Sequence, residues 1–131
     1  MGVTQVLLDT HALLWALMEP ERLSDRARTV IEDPGVRLVV SAASAWEMAT
    51  KWRLGHLPEA GTAVVAFSGH MGTLGATTLP ISAEDALEAG MRPEAHRDPF
   101  DRMLATQCLR HSLPIVTKDP AFREFPVDII W

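Results

Sequence analysis

The 131-residue sequence predicts an α/β fold, a three-layer α/β/α sandwich around a mostly parallel central sheet, on three observations. Short continuous apolar runs (VLL at 6–8, LVV at 38–40, PIV at 114–116) suit strands covered on both faces. Stretches with helical composition and capping signals separate these runs, an alternation that gives parallel strands with helices on both sides. Acidic residues (Asp9, Glu47, Asp98, Asp101 and Asp119) stand near where strands end and helices begin, and in such a fold those junctions meet along one edge of the sheet. The length fits a single domain over residues 1–131, with no internal repeat or linker to divide it.

Taken in order, residues 5–9 form a buried strand, and residues 10–18 a helix closed by Glu19-Pro20. Ser24 caps a helix through Asp33 that Pro34-Gly35 ends. Residues 37–41 form the second strand, and residues 42–54, rich in Ala and Met, a helix that Gly55 terminates. Residues 62–71 read as one helix weakened toward Gly69 and Gly72, and residues 76–80 as a short strand. Ser82 opens the next helix with Asp85 at its third position, and Gly90 closes it. Pro99 sits in the first turn of a helix over residues 99–111, where a missing N–H costs nothing. Residues 114–117 form a strand, and residues 127–131 a final edge strand.

Composition limits the function classes. An apolar fraction of 47% with 22% charged residues is that of a soluble globular protein. No apolar run approaches the roughly 20 residues that span a bilayer, and the start lacks a basic leader region, so a cytoplasmic location is expected. Cys108 is the sole cysteine and falls among apolar helix positions, as a buried inert thiol would. The five histidines show no zinc-ligand spacing. The net charge is −5; setting aside the four acids Asp9, Glu47, Asp101 and Asp119 leaves −1, so no global basic surface exists for general nucleic-acid binding. Attraction for a polyanion would have to be local, from a metal or from Lys51, Arg53, Arg97, Arg102, Lys118 and Arg123, which lie near the acids in sequence.

Each acid has an ordinary explanation when taken alone. Asp9 is a good cap for the helix after it, although Thr10 would serve as well. Glu47 pairs with Lys51 at i,i+4. Asp98 before Pro99 is an N-cap, while Asp101 suits the helix dipole and is left to face the cleft. Asp119 is a turn residue in Lys-Asp-Pro. Thr117 and Ser41 end strands, with hydroxyls suited to capping or to orienting a carboxylate. The coincidence of all the acids at junctions is not ordinary. Converging carboxylates repel, and they persist only beside a cation or partly protonated. Hard oxygen ligands point to Mg²⁺ or Mn²⁺, and carboxylates holding those ions point to phosphodiester chemistry.

The segments LLDTHALLW around Asp9, SAASAWEMATKWRLG around Glu47, HRDPFDRMLATQC around Asp101 and PIVTKDPAF around Asp119, in this order and spacing, resemble PIN-domain proteins. Within that family they resemble the VapC-type toxins of bacterial toxin–antitoxin pairs. The resemblance covers nearly the whole chain. It implies a metal-dependent endoribonuclease using Mg²⁺ or Mn²⁺, a homodimer, and inhibition by a VapB-type antitoxin. By motif, it assigns metal binding and catalysis to Asp9, Glu47, Asp101 and Asp119, with Asp98 as a further ligand candidate. Trp15, Trp46 and Trp52 read as core or subunit-interface residues rather than base-stacking platforms, or as the lining of a groove for an antitoxin helix.

Three rival readings are weaker. A phosphoacceptor receiver domain needs paired acids after the first strand and an acceptor Asp after the third, whereas here Thr10 follows Asp9 and strand two ends in Ser41. A haloacid-dehalogenase-type phosphatase needs an Asp where this chain has His11. A PIN domain that binds RNA without cutting it is at odds with the intact acids.

Overall fold

The computed structural model describes residues 2–131. Five strands, β1 (Gln5–Leu8), β2 (Arg37–Ser41), β3 (Ala76–Leu79), β4 (Ile115–Val116) and β5 (Ile129–Ile130), form one sheet in the order β3-β2-β1-β4-β5. Every neighbouring pair is parallel, with Leu8 opposite both Val40 and Val116, and Val116 opposite Ile130. The chain builds outward from β1 to one side, then returns to place β4 on the other. A switch point therefore lies at the carboxyl ends of β1 and β4, where open α/β sheets bind their ligands. This order differs from the 2-1-3-4-5 order of receiver-type sheets, which removes the phosphoacceptor alternative.

Among the described residues, seven α-helices cover the sheet: α1 (Thr10–Met18), α2 (Asp25–Glu32), α3 (Ala42–Arg53), α4 (Gly61–Val65), α5 (Phe67–Leu74), α6 (Ala83–Met91) and α7 (Pro99–His111). Alternate strand residues enter separate cores, as the two-residue period of a strand dictates. Val6, Leu8, Leu38, Val40 and Val116 pack with Ala12, Leu13 and Met48. Leu7, Val39 and Ile115 pack on the other face with Leu104, Ala105, Cys108 and Phe122. Cys108 is buried and its thiol is pushed up to about 12 by burial, as expected for an inert core residue.

The capping signals act locally as anticipated. Ser24 accepts from Ala27 N at 3.1 Å, and Ser82 and Asp85 form a reciprocal capping box. Asp98 accepts from Phe100 N and Asp101 N at the start of α7. Gly55, at φ 77°, ends α3 in the left-handed conformation.

Several boundaries differ from expectation. Residues 62–71 are not one helix: the chain breaks at Ala66 (φ −122°, ψ 41°) between α4 and α5. Thr62, Val64 and Val65 hold a helix weakly, and packing of α4 on α3 but α5 on β3 requires the change of direction. The second helix then passes Gly69 and Gly72 and stops at Gly75, φ 73°. Gly90 does not close α6, which runs to Met91; Arg92, extended before Pro93, ends it. The final edge strand is confined to two residues, Ile129–Ile130.

Asp85 ties α6, α7 and β2 together. Its buried carboxylate accepts from Ser82 N, Gln107 Nε2 and Arg110 Nε, and Gln107 Oε1 in turn accepts from Ser41 Oγ at 2.5 Å. Burial alone would raise the Asp85 carboxyl, but the bonds from Gln107, Ser82 and Arg110 outweigh it and lower it. Its contribution is thus complete above the ordinary Asp range and is lost as pH falls below about 4. Asp85→Ala should lower the unfolding free energy by about 3 kcal/mol at pH 7 in urea titrations, with the deficit shrinking toward pH 3.

Candidate active site

The carboxyl edge of β1 delivers Asp9 into α1 as its N-cap. Oδ1 accepts from Ala12 N at 2.7 Å, and Oδ2 accepts from the Thr117 hydroxyl at 2.5 Å. Thr117, at the end of β4, also accepts from Asp119 N at 3.0 Å. One hydroxyl therefore links the two strand ends that flank the switch point. Asp9 caps rather than Thr10, and that releases Thr10 for a role its position did not reveal. Its hydroxyl donates to Glu47 Oε1 at 2.5 Å and lies 3.1 Å from the Ser44 hydroxyl.

Glu47 is buried at 5% exposure, not displayed on a solvated helix face. The expected Lys51 pair exists, with Nζ 2.5 Å from Oε2, but it neutralises a carboxylate turned inward toward Thr10. Burial opposes the Lys51 charge; the Glu47 bond, with Asp98 and Asp101 nearby, outweighs this and raises its pKa. Asp101 points at His96, whose Nε2 lies 2.9 Å from Oδ2 while Nδ1 lies 3.0 Å from Glu124 Oε2. Asp98 is engaged as the α7 cap, and Asp119 caps the turn Pro120–Glu124 through Ala121 N.

Two carboxyls are held far from their ordinary state. Asp9 is pushed up to about 6 by burial, with the Glu47 charge adding, against the bonds from Thr117 and Ala12. Asp101 is also pushed up to about 6, by burial and by the charges of Asp98 and Glu47, against His96. Glu47 is thus the electrostatic link between them. Asp9 and Asp119 share a cavity of about 430 Å³ with His11, Trp15, Arg22, Lys118 and Pro120. Charge links Asp9 to Glu47, and Asp101 to Glu47 and Asp98, while Asp119 meets Asp9 only across the shared cavity. Among the described residues, no three His, Cys, Asp or Glu side chains are placed to hold a metal ion.

Several expectations about neighbours change. Arg102 is not an available cation: its guanidinium donates to the carbonyls of Ala89, Arg92, Glu94 and His96. Trp46 and Trp52 are not core residues, at 60% and 41% exposure; Trp46 meets the Phe100 ring edge-on at 4.9 Å. Thr10, Ser44 and His96 join the site without having been singled out. His96 was visible in HRDPFDR, five residues before Asp101, but only the path of the connecting loop shows which carboxylates it meets.

The fold and site together define a class: parallel α/β proteins with a buried carboxylate cluster at the switch point of a 3-2-1-4-5 sheet. The sequence model of the PIN domain matches residues 6–127, and the chain belongs to the PIN domain family. Ribonuclease VapC22 of Mycobacterium tuberculosis is 32% identical over 127 residues, covering 92% of each chain. Among solved structures, VapBC2 from Rickettsia felis bound to a promoter DNA fragment superposes with a TM-score of 0.66 at 12% identity, covering 95% of this chain and 96% of that one. A toxin–antitoxin complex from Klebsiella pneumoniae gives 0.57 at 17% identity, covering 92% of each. Among the described residues, no helix is long and apolar enough to cross a membrane.

The raised carboxyls set a pH dependence. The folded, metal-free protein binds more protons than the unfolded chain between about 4 and 6, so its stability falls as pH rises through that window. Asp9→Asn retains the cap acceptor and removes the buried charge. In EDTA at pH 7.5 it should be more stable than the parent by roughly 2–3 kcal/mol, with the difference vanishing near pH 4, as read by chemical denaturation.

Proposed function

We propose that the chain is a divalent-metal-dependent endoribonuclease, the toxin of a toxin–antitoxin pair. The observation that carries this reading is the pair of buried, unusually basic carboxyls, Asp9 and Asp101, coupled through Glu47 at the switch point of a PIN domain. Keeping such groups charged in the metal-free protein costs stability, a cost that a bound cation would offset. The name of the VapC22 relative supports RNA as substrate.

The donor set suits a hard cation: all the candidates are carboxylate oxygens, with no cysteine and no histidine pair among them. Asp9, Asp101, Glu47 and Asp119 would hold Mg²⁺ or Mn²⁺, with Asp98 adjacent. Once bound, such an ion supplies Lewis-acid polarisation of the scissile phosphate and a more acidic water. The protein's own residues do the rest. Thr117 fixes the Asp9 plane, Thr10 and Lys51 fix Glu47, and His96 fixes Asp101. Glu47 or Asp119 takes the proton from water at a carboxylate oxygen as water attacks phosphorus. The P–O3′ bond breaks and the leaving 3′ oxygen takes a proton from that carboxyl or from solvent, giving 5′-phosphate and 3′-hydroxyl ends. A homodimer and a VapB-type antitoxin belong to the same reading. Support for an apolar partner comes from exposed Trp46, which with Phe100, Ile81 and Met103 lines an apolar cavity of about 230 Å³.

Purified protein should cleave single-stranded RNA with Mg²⁺ or Mn²⁺ and not in EDTA. Asp9→Asn and Asp101→Asn should each lower the rate by about 100-fold or more while remaining folded, and should weaken Mn²⁺ binding measured calorimetrically. Undiminished cleavage by both variants would overturn the site. RNA binding with no cleavage under any metal would favour a non-cleaving RNA-binding PIN domain.

A further inference from the structure

The cations around the acids divide into two groups. Lys51 is paired with Glu47, Arg110 with Asp85, and Arg102 is enclosed by backbone carbonyls. Lys118 makes no ion pair among the described residues, and Arg22 reaches Glu19 only at 3.8 Å from an exposed turn. Both face the 430 Å³ cavity that also contains Asp9 and Asp119. The remaining walls are aromatic. Trp15 is half-buried, the exposed His11 ring lies 5.8 Å from it, and the Arg22 guanidinium carbon sits 4.6 Å from the indole centroid. Trp131 supports the indole at 5.9 Å on the core side.

A cation over an indole is common on protein surfaces. This one shares a cavity with two site acids and the unpaired Lys118, and the cavity is large enough for a small organic ligand. Apolar peptide side chains would leave Lys118, Arg22 and the acids unmatched. A free anion would leave the rings unused. A nucleotide uses every part: its phosphate meets Lys118 and Arg22, and its base lies against the Trp15–His11–Arg22 surface. Bases stack on indole, imidazole and guanidinium planes alike.

We propose that Trp15, His11, Arg22 and Lys118 form a subsite for one unpaired ribonucleotide next to the scissile phosphate, holding its base by stacking and its phosphate by charge. The proposal rests on the nuclease reading above. It gives Trp15 a substrate role in place of the core, subunit-interface or antitoxin-groove role expected from sequence. Because stacking accepts any base, the subsite selects unpaired over paired RNA rather than one sequence.

The test is a coupling measurement on a short fluorescent single-stranded RNA with a mapped cleavage point, read by anisotropy in EDTA and by KM in Mn²⁺. Abasic sugars replace the nucleotides flanking that point one at a time. One abasic position should weaken the parent protein's binding or raise its KM by about tenfold. Arg22→Ala and Trp15→Leu should show a similar loss on intact RNA and little further loss on that abasic RNA, and Trp15→Phe should restore most of the affinity. Lys118→Ala should reduce the log–log salt slope by about 0.7. Arg22 is exposed, so Arg22→Ala keeps the test alive if Trp15→Leu fails to fold. Additive losses from the abasic RNA and either variant, or variants indistinguishable from the parent, would overturn the subsite. A parent protein that cleaves with Mn²⁺ but shows additive losses would refute the subsite alone; one that never cleaves would refute the nuclease reading with it.

Discussion

Negative charge buried at the edge of a parallel sheet is the constraint around which the polar part of this molecule is arranged. The sheet order places the ends of β1 and β4 side by side, and the chain puts Asp9 there at 6% exposure with Glu47 in electrostatic reach. A carboxylate so placed loses its hydration, and each one must find donors from the protein. The donors come from different elements in each case. Thr117 on β4 serves Asp9, Thr10 on α1 and Lys51 on α3 serve Glu47, and His96 from the α6–α7 connection serves Asp101. The helices and strands around the cleft are thus joined through the acids as much as through apolar packing.

The connection between α6 and α7 shows how far this organisation extends. It lacks regular structure, yet Arg102 crosses beneath it and gathers carbonyls from Ala89, Arg92, Glu94 and His96. A guanidinium suits that task, since its planar donors satisfy several acceptors at once and it stays charged when enclosed. The result is a fixed His96, bridging Asp101 and Glu124 with its ring edge-on to Phe125 at 5.5 Å. On the other side of α7, Asp85 and Gln107 anchor the helix to the end of β2. The helix bearing Asp101 is held from both flanks, so the position of that carboxylate is set by the fold.

The strands, the capped helices and the acids at their junctions were legible in the sequence because each depends on short-range pattern. Continuous apolar runs, Ser24 and Ser82 as caps and Pro99 in a first turn are all decided within a few residues. What escaped was decided by residues distant in sequence. Asp9 and Thr10 compete for one cap, and the outcome depends on Glu47, 37 residues beyond Thr10, which needs the Thr10 hydroxyl. Arg102 read as a cation near the site because nothing local marks the carbonyls that enclose it. The break at Ala66 answers to where α3 and β3 lie, and no Gly or Pro announces it. Exposure of Trp46 was equally hidden, since Trp on an amphipathic helix reads the same whether it faces a core or a partner.

Net charge is a poor guide to the local field at this cleft. A formal charge of −5 argues against nucleic acid when it is spread evenly. Here the acids are drawn inward and engaged by neighbours, and several basic side chains are withdrawn in the same way. What a ligand encounters at the mouth of the cleft is the remainder: Lys118, Arg22 and His11 around two carboxylates. Short-range fields dominate at ionic strengths where charges beyond about 8 Å are screened, so this local remainder outweighs the total. Raised carboxyls deepen the effect, since below about pH 6 Asp9 and Asp101 carry less negative charge than the formula implies, and the field at the cleft is weaker than a count of acids suggests.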